Sequence, residues 1–169
     1  MIKRITATAV ILCLLFSSGC GEKKVTALDL IGKPFTCRVD ISVLTMDFSG
    51  EFTKTDGENM SLTLDKPALL TGMKFAKNGD DVSLSVFGLT VSIENAAPES
   101  TSAADVLFDI FSGDGDYDVE YGESAIIMRR KTGLDTVIVE FDKGTLVPVR
   151  LHTENTDIVM TFSEYKLIE

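Results

Sequence analysis

Apolar residues at every second position, in run after run, constrain this chain more than any other feature. Phe35, Cys37, Val39, Ile41 and Val43 alternate with Thr36, Arg38, Asp40 and Ser42. A helix repeats about every 3.6 residues, so this alternation separates an apolar face from a wet one only on a strand. The pattern returns at Met60, Leu62 and Leu64, at Val82, Leu84 and Val86, and at Leu89, Val91 and Ile93. It recurs at Val137, Val139 and Phe141, at Val147, Val149 and Leu151, and last at Ile158, Met160 and Phe162. A sheet with one apolar face must bury that face against something.

Turn chemistry separates the runs. Asp56-Gly57 and Asn78-Gly79 are hairpin dipeptides, because a type I′ turn needs positive φ at both central positions. Lys143-Gly144 and Glu154-Asn155 mark further connections. Links this short imply antiparallel neighbours in chain order. At Phe87-Gly88 the apolar positions switch from even numbers to odd. A β-bulge there keeps both sets on one face and bends the sheet, and a tight turn after Phe87 accounts for the switch equally well.

One segment follows a different period. Ala103, Val106, Leu107, Ile110 and Phe111 form a single helical stripe. Ser102 with Asp105 resembles a capping box, Gly113 fits just past the end, and residues 98–101 serve as the lead-in. A lone amphipathic helix in a β chain is expected to lay its stripe on the concave face of the sheet. Residues 25–30 are expected to hold at most a short helical turn.

The first twenty residues read as an export signal. Lys3 and Arg4 precede an apolar run, Ile5 to Phe16, that is short of the about 20 residues a bilayer span needs. Small residues, Ser17-Ser18-Gly19, then lead to Cys20. These residues resemble the lipobox of bacterial lipoproteins, with Ser17 where that motif usually has Leu. The resemblance implies cleavage before Cys20 and a diacylglyceryl group on its sulfur, and two acyl chains suffice for stable anchoring. An ordinary secretory signal and a short membrane anchor are the alternatives. The expected organisation is a signal peptide over 1–19, a lipidated tether over 20–33 and one domain over 34–169. The expected location is the extracytoplasmic side of the cell membrane, or the outer membrane where the host has one.

Losing the leader removes Lys3 and Arg4, so sixteen basic residues fall to fourteen against 26 acidic ones, a net of −12. That balance argues against nucleic acid, whose phosphates need a basic surface. It also disfavours docking on anionic headgroups, which leaves the lipid on Cys20 to hold the protein at the membrane. Of Cys13, Cys20 and Cys37, only Cys37 stays free, so no intrachain disulfide is expected. Cys37 keeps phase with apolar neighbours and reads as a small buried hydrophobe.

Catalytic chemistry finds little to work with. His152 falls in the exposed phase beside Leu151 with no orienting partner, as a surface histidine does. No G-x-S-x-G, H-E-x-x-H or glycine-rich phosphate cradle occurs. Asp114, Asp116, Asp118 and Glu120 are spaced like calcium-loop ligands. Counted from Asp114, however, the sixth and twelfth positions are Val119 and Ala125 instead of Gly and Glu. The run reads as a solvated connection. No enzymatic activity, cofactor or metal is expected.

Several segments carry a likeness at the level of family. They are Phe48-Ser-Gly-Glu-Phe52, Lys66-Pro67 through Gly72 with Phe75 and Asn78-Gly79 after it, Val137 to Asp142, Leu146-Val-Pro148, and Ile158 to Phe162. Over about residues 35 to 165 the chain resembles the LolA/LolB-like superfamily of bacterial lipoprotein-sorting carriers, which includes clostridial germination lipoproteins. The resemblance implies a mainly β (α+β) fold: a curved antiparallel sheet of about 9–11 strands forming a half-barrel with an apolar groove and one covering helix. Residues 21–33 barely accommodate the opening helix of the Gram-negative carriers, and the chain has no Trp.

Two functions follow. The first is a binding module whose groove holds an acyl chain or a lipoprotein lipid as cargo. Val39, Ile41, Leu62, Leu64, Leu84, Val86, Val91, Val139, Val149 and Met160 form its wall, and Ile110 and Phe111 face it from the helix. The driver is burial of methylenes at ~0.8 kcal/mol each, and the same residues equally suit a closed core. The reading requires a continuous apolar space of several hundred Å³ under residues 102–112. The second is a scaffold or co-factor lipoprotein that binds an envelope enzyme or germination protein, with Leu44, Phe87 and Phe108 as exposed apolar contacts.

Overall fold

The computed structural model describes residues 25–92, 102–133 and 135–168. The leader, Cys20, Ile93 and the lead-in 98–101 lie outside the described residues. A short helix, α1 (Ala27–Ile31), opens the described chain. Six strands follow: β1 (Phe35–Val43), β2 (Met46–Lys54), β3 (Asn59–Lys66), β4 (Lys74–Asn78), β5 (Asp81–Val86) and β6 (Leu89–Ser92). A 3-10 turn at Ala68–Leu70 joins β3 to β4. Helix α2 (Ala103–Phe111) precedes β7 (Asp118–Tyr121), β8 (Ala125–Thr132), β9 (Asp135–Asp142), β10 (Pro148–Thr153) and β11 (Ile158–Leu167). The described residues thus hold two α-helices where one was expected. No helix among them is long and apolar enough to cross a membrane.

All eleven strands form one open antiparallel sheet in the order β6-β5-β4-β3-β2-β1-β11-β10-β9-β8-β7. Each half is a meander, β1 and β11 close the two halves at the centre, and β6 and β7 are left at the edges. This arrangement is consistent with a curved half-barrel. In register, Ile41 faces Phe48 and Met160, Phe52 faces Leu62, and Met128 faces Val139. Those residues share one face, and most of them are buried.

Gly88 belongs to a turn. Val86 pairs with Leu89, and both Phe87 (φ 50) and Gly88 (φ 82) have positive φ, so they are the two residues of a hairpin loop. Leu84 therefore faces Val91, and even positions on β5 share a face with odd positions on β6. The bulge reading falls. Register shifts lie elsewhere, between Thr36 and Arg38, Ser49 and Gly50, and Pro148 and Arg150. The turn expected at Asn78-Gly79 is centred one place later, since Asn78 pairs with Asp81.

Both helices begin with reciprocal caps. Ser102 Oγ accepts from Asp105 N at 3.1 Å while Ser102 N donates to Asp105 Oδ2 at 3.2 Å. Thr26 and Asp29 repeat the device at α1. The buried face of α2 is wider than one stripe, because Ala104 and Phe108 are buried beside Val106, Leu107, Ile110 and Phe111. Phe108, expected as an exposed contact, is 2% exposed and its ring lies 6.4 Å from that of Phe52. Phe111 sits among Phe35, Phe52 and Phe162, with centroids 5.5 to 5.9 Å away.

Two charged side chains fix the helices to the sheet. Arg130 reaches the C-terminal end of α2, with Nη2 3.0 Å from the Asp109 carboxylate and Nη1 donating to the Asp109 carbonyl and the Tyr117 hydroxyl. It also lies over the Tyr117 ring, 5.4 Å from the centroid. Burial pushes the Asp109 carboxyl up, against the pull of Arg130. Lys54 is buried, and its ammonium donates to the Ile31 carbonyl at the end of α1. Desolvation holds its pKa below the usual lysine range. Leu30 and Ile31 are core residues, so packing begins inside the segment expected to be a tether.

Candidate functional site

Space remains where α2 begins. An apolar cavity of about 230 Å³ is bounded by Ile41 and Val43 of β1, Met46 and Phe48 of β2, Leu62 and Leu64 of β3, and Phe75 of β4. Ser102, Ala103 and Ala104 close it from the helix side. Antiparallel pairing assembles the wall, with Val43 opposite Met46 and Leu62 opposite Phe75. The opening has a simple cause. The first turn of α2 carries two alanines, whereas its last turns carry Leu107, Phe108, Ile110 and Phe111, which fill the space beneath them.

The chemistry of the cavity is uniform. Among the described residues its one polar side chain, Ser102, already donates from Oγ to Asp105 Oδ2 at 2.7 Å. Among the described residues no ionised group lines it, so these walls offer dispersion and burial to an apolar guest and nothing to a polar one. The apolar face continues outward along a cross-strand ladder from Phe75 to Leu84 to Val91. Leu84 is half-buried, and Val91 and Leu89 are 63% and 76% exposed at the sheet edge. A second hollow of about 320 Å³ lies between α1 and the β9–β10 turn. Asp29, Lys33 and Thr145 line it beside Leu30 and Tyr165.

The expected wall residues divide into three groups. Ile41, Leu62 and Leu64 line the cavity. Val39, Val139 and Met160 lie in the core under the body of α2, where Ile110 and Phe111 of the helix are buried with them, so the hollow expected beneath residues 102–112 exists only at its start. Leu84, Val86 and Val91 belong to the outer ladder. Val149 leaves the core face altogether: it is 46% exposed because the register shifts between Pro148 and Arg150, which puts Pro148 and Leu151 inside.

Sequence reasoning missed Val43, Met46, Phe48, Phe75, Ala103 and Ala104 as lining. Ala103 and Ala104 were the available signal, since adjacent small residues at one end of an otherwise bulky stripe leave room. His152 is only half-exposed, and its Nδ1 is buried with no hydrogen-bond partner among the described residues. It lies on β10 opposite Ile138 and Val159, in the alternate phase to Leu151 and the core. Among the described residues no group of three His, Cys, Asp or Glu side chains is placed to hold a metal ion.

No family model matches the chain, and no curated protein matches it by sequence. Solved structures do. A LolA superfamily protein from Nitrosomonas europaea superposes with a TM-score of 0.51 at 13% identity, over 86% of this chain and 95% of that one. The chain has the LolA-like fold. An uncharacterized conserved protein from Thermus thermophilus gives a TM-score of 0.55 at 12% identity, over 85% of this chain and 86% of that one. At such identities the LolA-like fold is what is shared, and function rests on the site itself.

Proposed function

We propose that this is a non-enzymatic extracytoplasmic lipoprotein, anchored through a diacylglyceryl group on Cys20, that holds the end of an apolar chain at the start of α2. One observation carries the reading: an apolar cavity with no charged lining among the described residues, continuous along β4 to β6 with a partly exposed apolar ladder. At about 230 Å³ it is smaller than the roughly 300–1,000 Å³ typical of drug-sized ligand sites. It therefore suits one acyl tail or a similar hydrocarbon end, and the rest of a longer ligand runs along the ladder. Each methylene withdrawn from water contributes ~0.8 kcal/mol.

The test is extraction of the purified protein into organic solvent followed by mass spectrometry. A stoichiometric lipid beyond the one bonded to Cys20 is the expected result. A protein empty of lipid when purified from membranes under non-denaturing conditions contradicts the reading.

A second reading has its own observation. Three successive turns at one end of the sheet carry Leu44, Leu69 and Phe87, which are 73%, 82% and 85% exposed. Leu44 and Phe87 hold positive φ (55 and 50), a conformation that costs a bulky residue about 1 kcal/mol or more. Large apolar side chains at such positions favour a docking role toward an envelope protein. Changing all three to Ser leaves lipid retention intact under this reading and abolishes the partner complex.

A further inference from the structure

The two edges of the sheet are chemically unlike. β7 carries Asp118 and Glu120, and Glu120 pairs with Arg129 at 2.7 Å. Charged side chains are a common guard against edge-to-edge pairing. β6 reads Leu-Thr-Val-Ser, and all four residues are exposed. No charged residue occurs from Val82 to Ser92, in a chain of which 25% is charged. Among the described residues nothing charged guards the β6 edge.

Its backbone is also poised to pair. A two-residue turn at Phe87-Gly88 makes Val86 and Leu89 the hydrogen-bonded pair of the β5–β6 hairpin. The N–H and C=O of Thr90 therefore point away from β5. No described strand lies on that side. Thr90 can exchange two hydrogen bonds with any antiparallel strand that arrives there.

We propose that the arriving strand is β6 of a second copy of this chain, paired about a two-fold axis with Thr90 opposite Thr90. An antiparallel strand offers itself the same donors and acceptors, so the contact is isologous and closes. In this register Leu89 faces Val91 of the second copy, on the face that carries Phe75 and Leu84. Each copy thus extends the other's apolar ladder and supplies residues that a single copy leaves exposed. Thr90 meets Thr90 on the opposite face, beside Ser85, whose hydroxyl lies 2.8 Å from that of Thr90.

Charge selects the place. Two chains that begin at residue 20, each with fourteen basic and 26 acidic residues and a net of −12, repel over most of their surfaces, and the uncharged 82–92 hairpin is where approach is least opposed. The proposal stands whether or not the cavity holds a ligand.

The test uses protein that begins at residue 20 and carries Cys20→Ser, which contains every described residue. Sedimentation equilibrium at about 0.1 mM, above the Kd of a micromolar-class contact, is expected to give a dimer. Val91→Lys should return a monomer with unchanged circular dichroism and Tm. Thr90→Cys should form a disulfide-linked dimer on mild oxidation, and Asp118→Cys on the guarded edge should not. Three results overturn the proposal: a monomeric parent at that concentration, a dimer that survives Val91→Lys, or equal cross-linking from both edges.

Discussion

The rings of Phe35 and Phe111 meet edge to face, 5.5 Å between centroids and 69° between planes. Phe35 opens β1, the strand at the centre of the sheet, and Phe111 closes α2. Phe52 and Phe162 stand 5.6 and 5.9 Å from the same Phe111 ring. The helix is therefore pinned to the two central strands and β2 by its C-terminal end, where Arg130 also grips it. Its N-terminal turn is left to face the cavity.

Phe111→Ala is expected to cost about 3–5 kcal/mol in urea unfolding, the range for deleting a buried aromatic ring. Leu69→Ser, at a position 82% exposed and without positive φ, should change stability by less than about 0.5 kcal/mol. Comparable losses for the two variants would mean that α2 is not seated as described.

Asp135 is a buried carboxylate that organises the β10–β11 turn. It accepts from the backbone N–H groups of Thr136, Glu154 and Asn155 and from the Thr156 hydroxyl at 2.7 to 3.0 Å. Burial pushes its pKa up, but these donors outweigh burial and hold it below the usual carboxylate value. Its stabilising contribution is present above the unfolded pKa near 4 and is lost as pH falls through the folded value. Asp135→Asn should cost about 1–3 kcal/mol at neutral pH. The variant should also lose less stability than the parent below about pH 4.

Cys37 is 2% exposed between Phe35 and Val39, and burial pushes its thiol up to about 12. In Cys20→Ser protein lacking the leader, Cys37 should ignore thiol reagents until the domain unfolds. Its raised pKa keeps stability intact below about pH 9, with loss as pH climbs toward about 12. Rapid labelling of the native protein would show the strand to be open.

Cys20→Ser in the full chain should release the protein from the membrane fraction or leave it unprocessed. Retention in membranes with normal processing would remove lipidation from the account.

Much of the sheet was legible because an apolar period of two has no other stable home. Where it was illegible, a particular residue interrupts the period. The inner face of β2 runs Met46, Phe48, Gly50, Phe52, Lys54, so a glycine and a lysine break it. Gly50 is needed there, since a Cβ would stand 2.3 Å from the Thr63 carbonyl oxygen. Lys54 serves α1 instead of the core. In β8 the alternation of Ile126 and Met128 ends at Arg130, which serves α2.

The cavity was harder to foresee. Val39 and Ile41 are two residues apart on the same face of β1, yet Val39 lies in filled core and Ile41 borders open space. Nothing in the strand separates them. The difference comes from the helix above, bulky near Phe111 and small at Ala103, and from its placement, which depends on contacts distant in sequence.

The most direct test of the central claim fills the space at the first turn of α2. Delipidated parent protein is expected to bind a dansyl-labelled fatty acid saturably, read as an increase in fluorescence. Ala103→Phe should weaken that binding by at least about tenfold, equivalent to about 1.4 kcal/mol, with Tm unchanged. Equal affinity in both proteins, or no binding by the parent, would contradict the account.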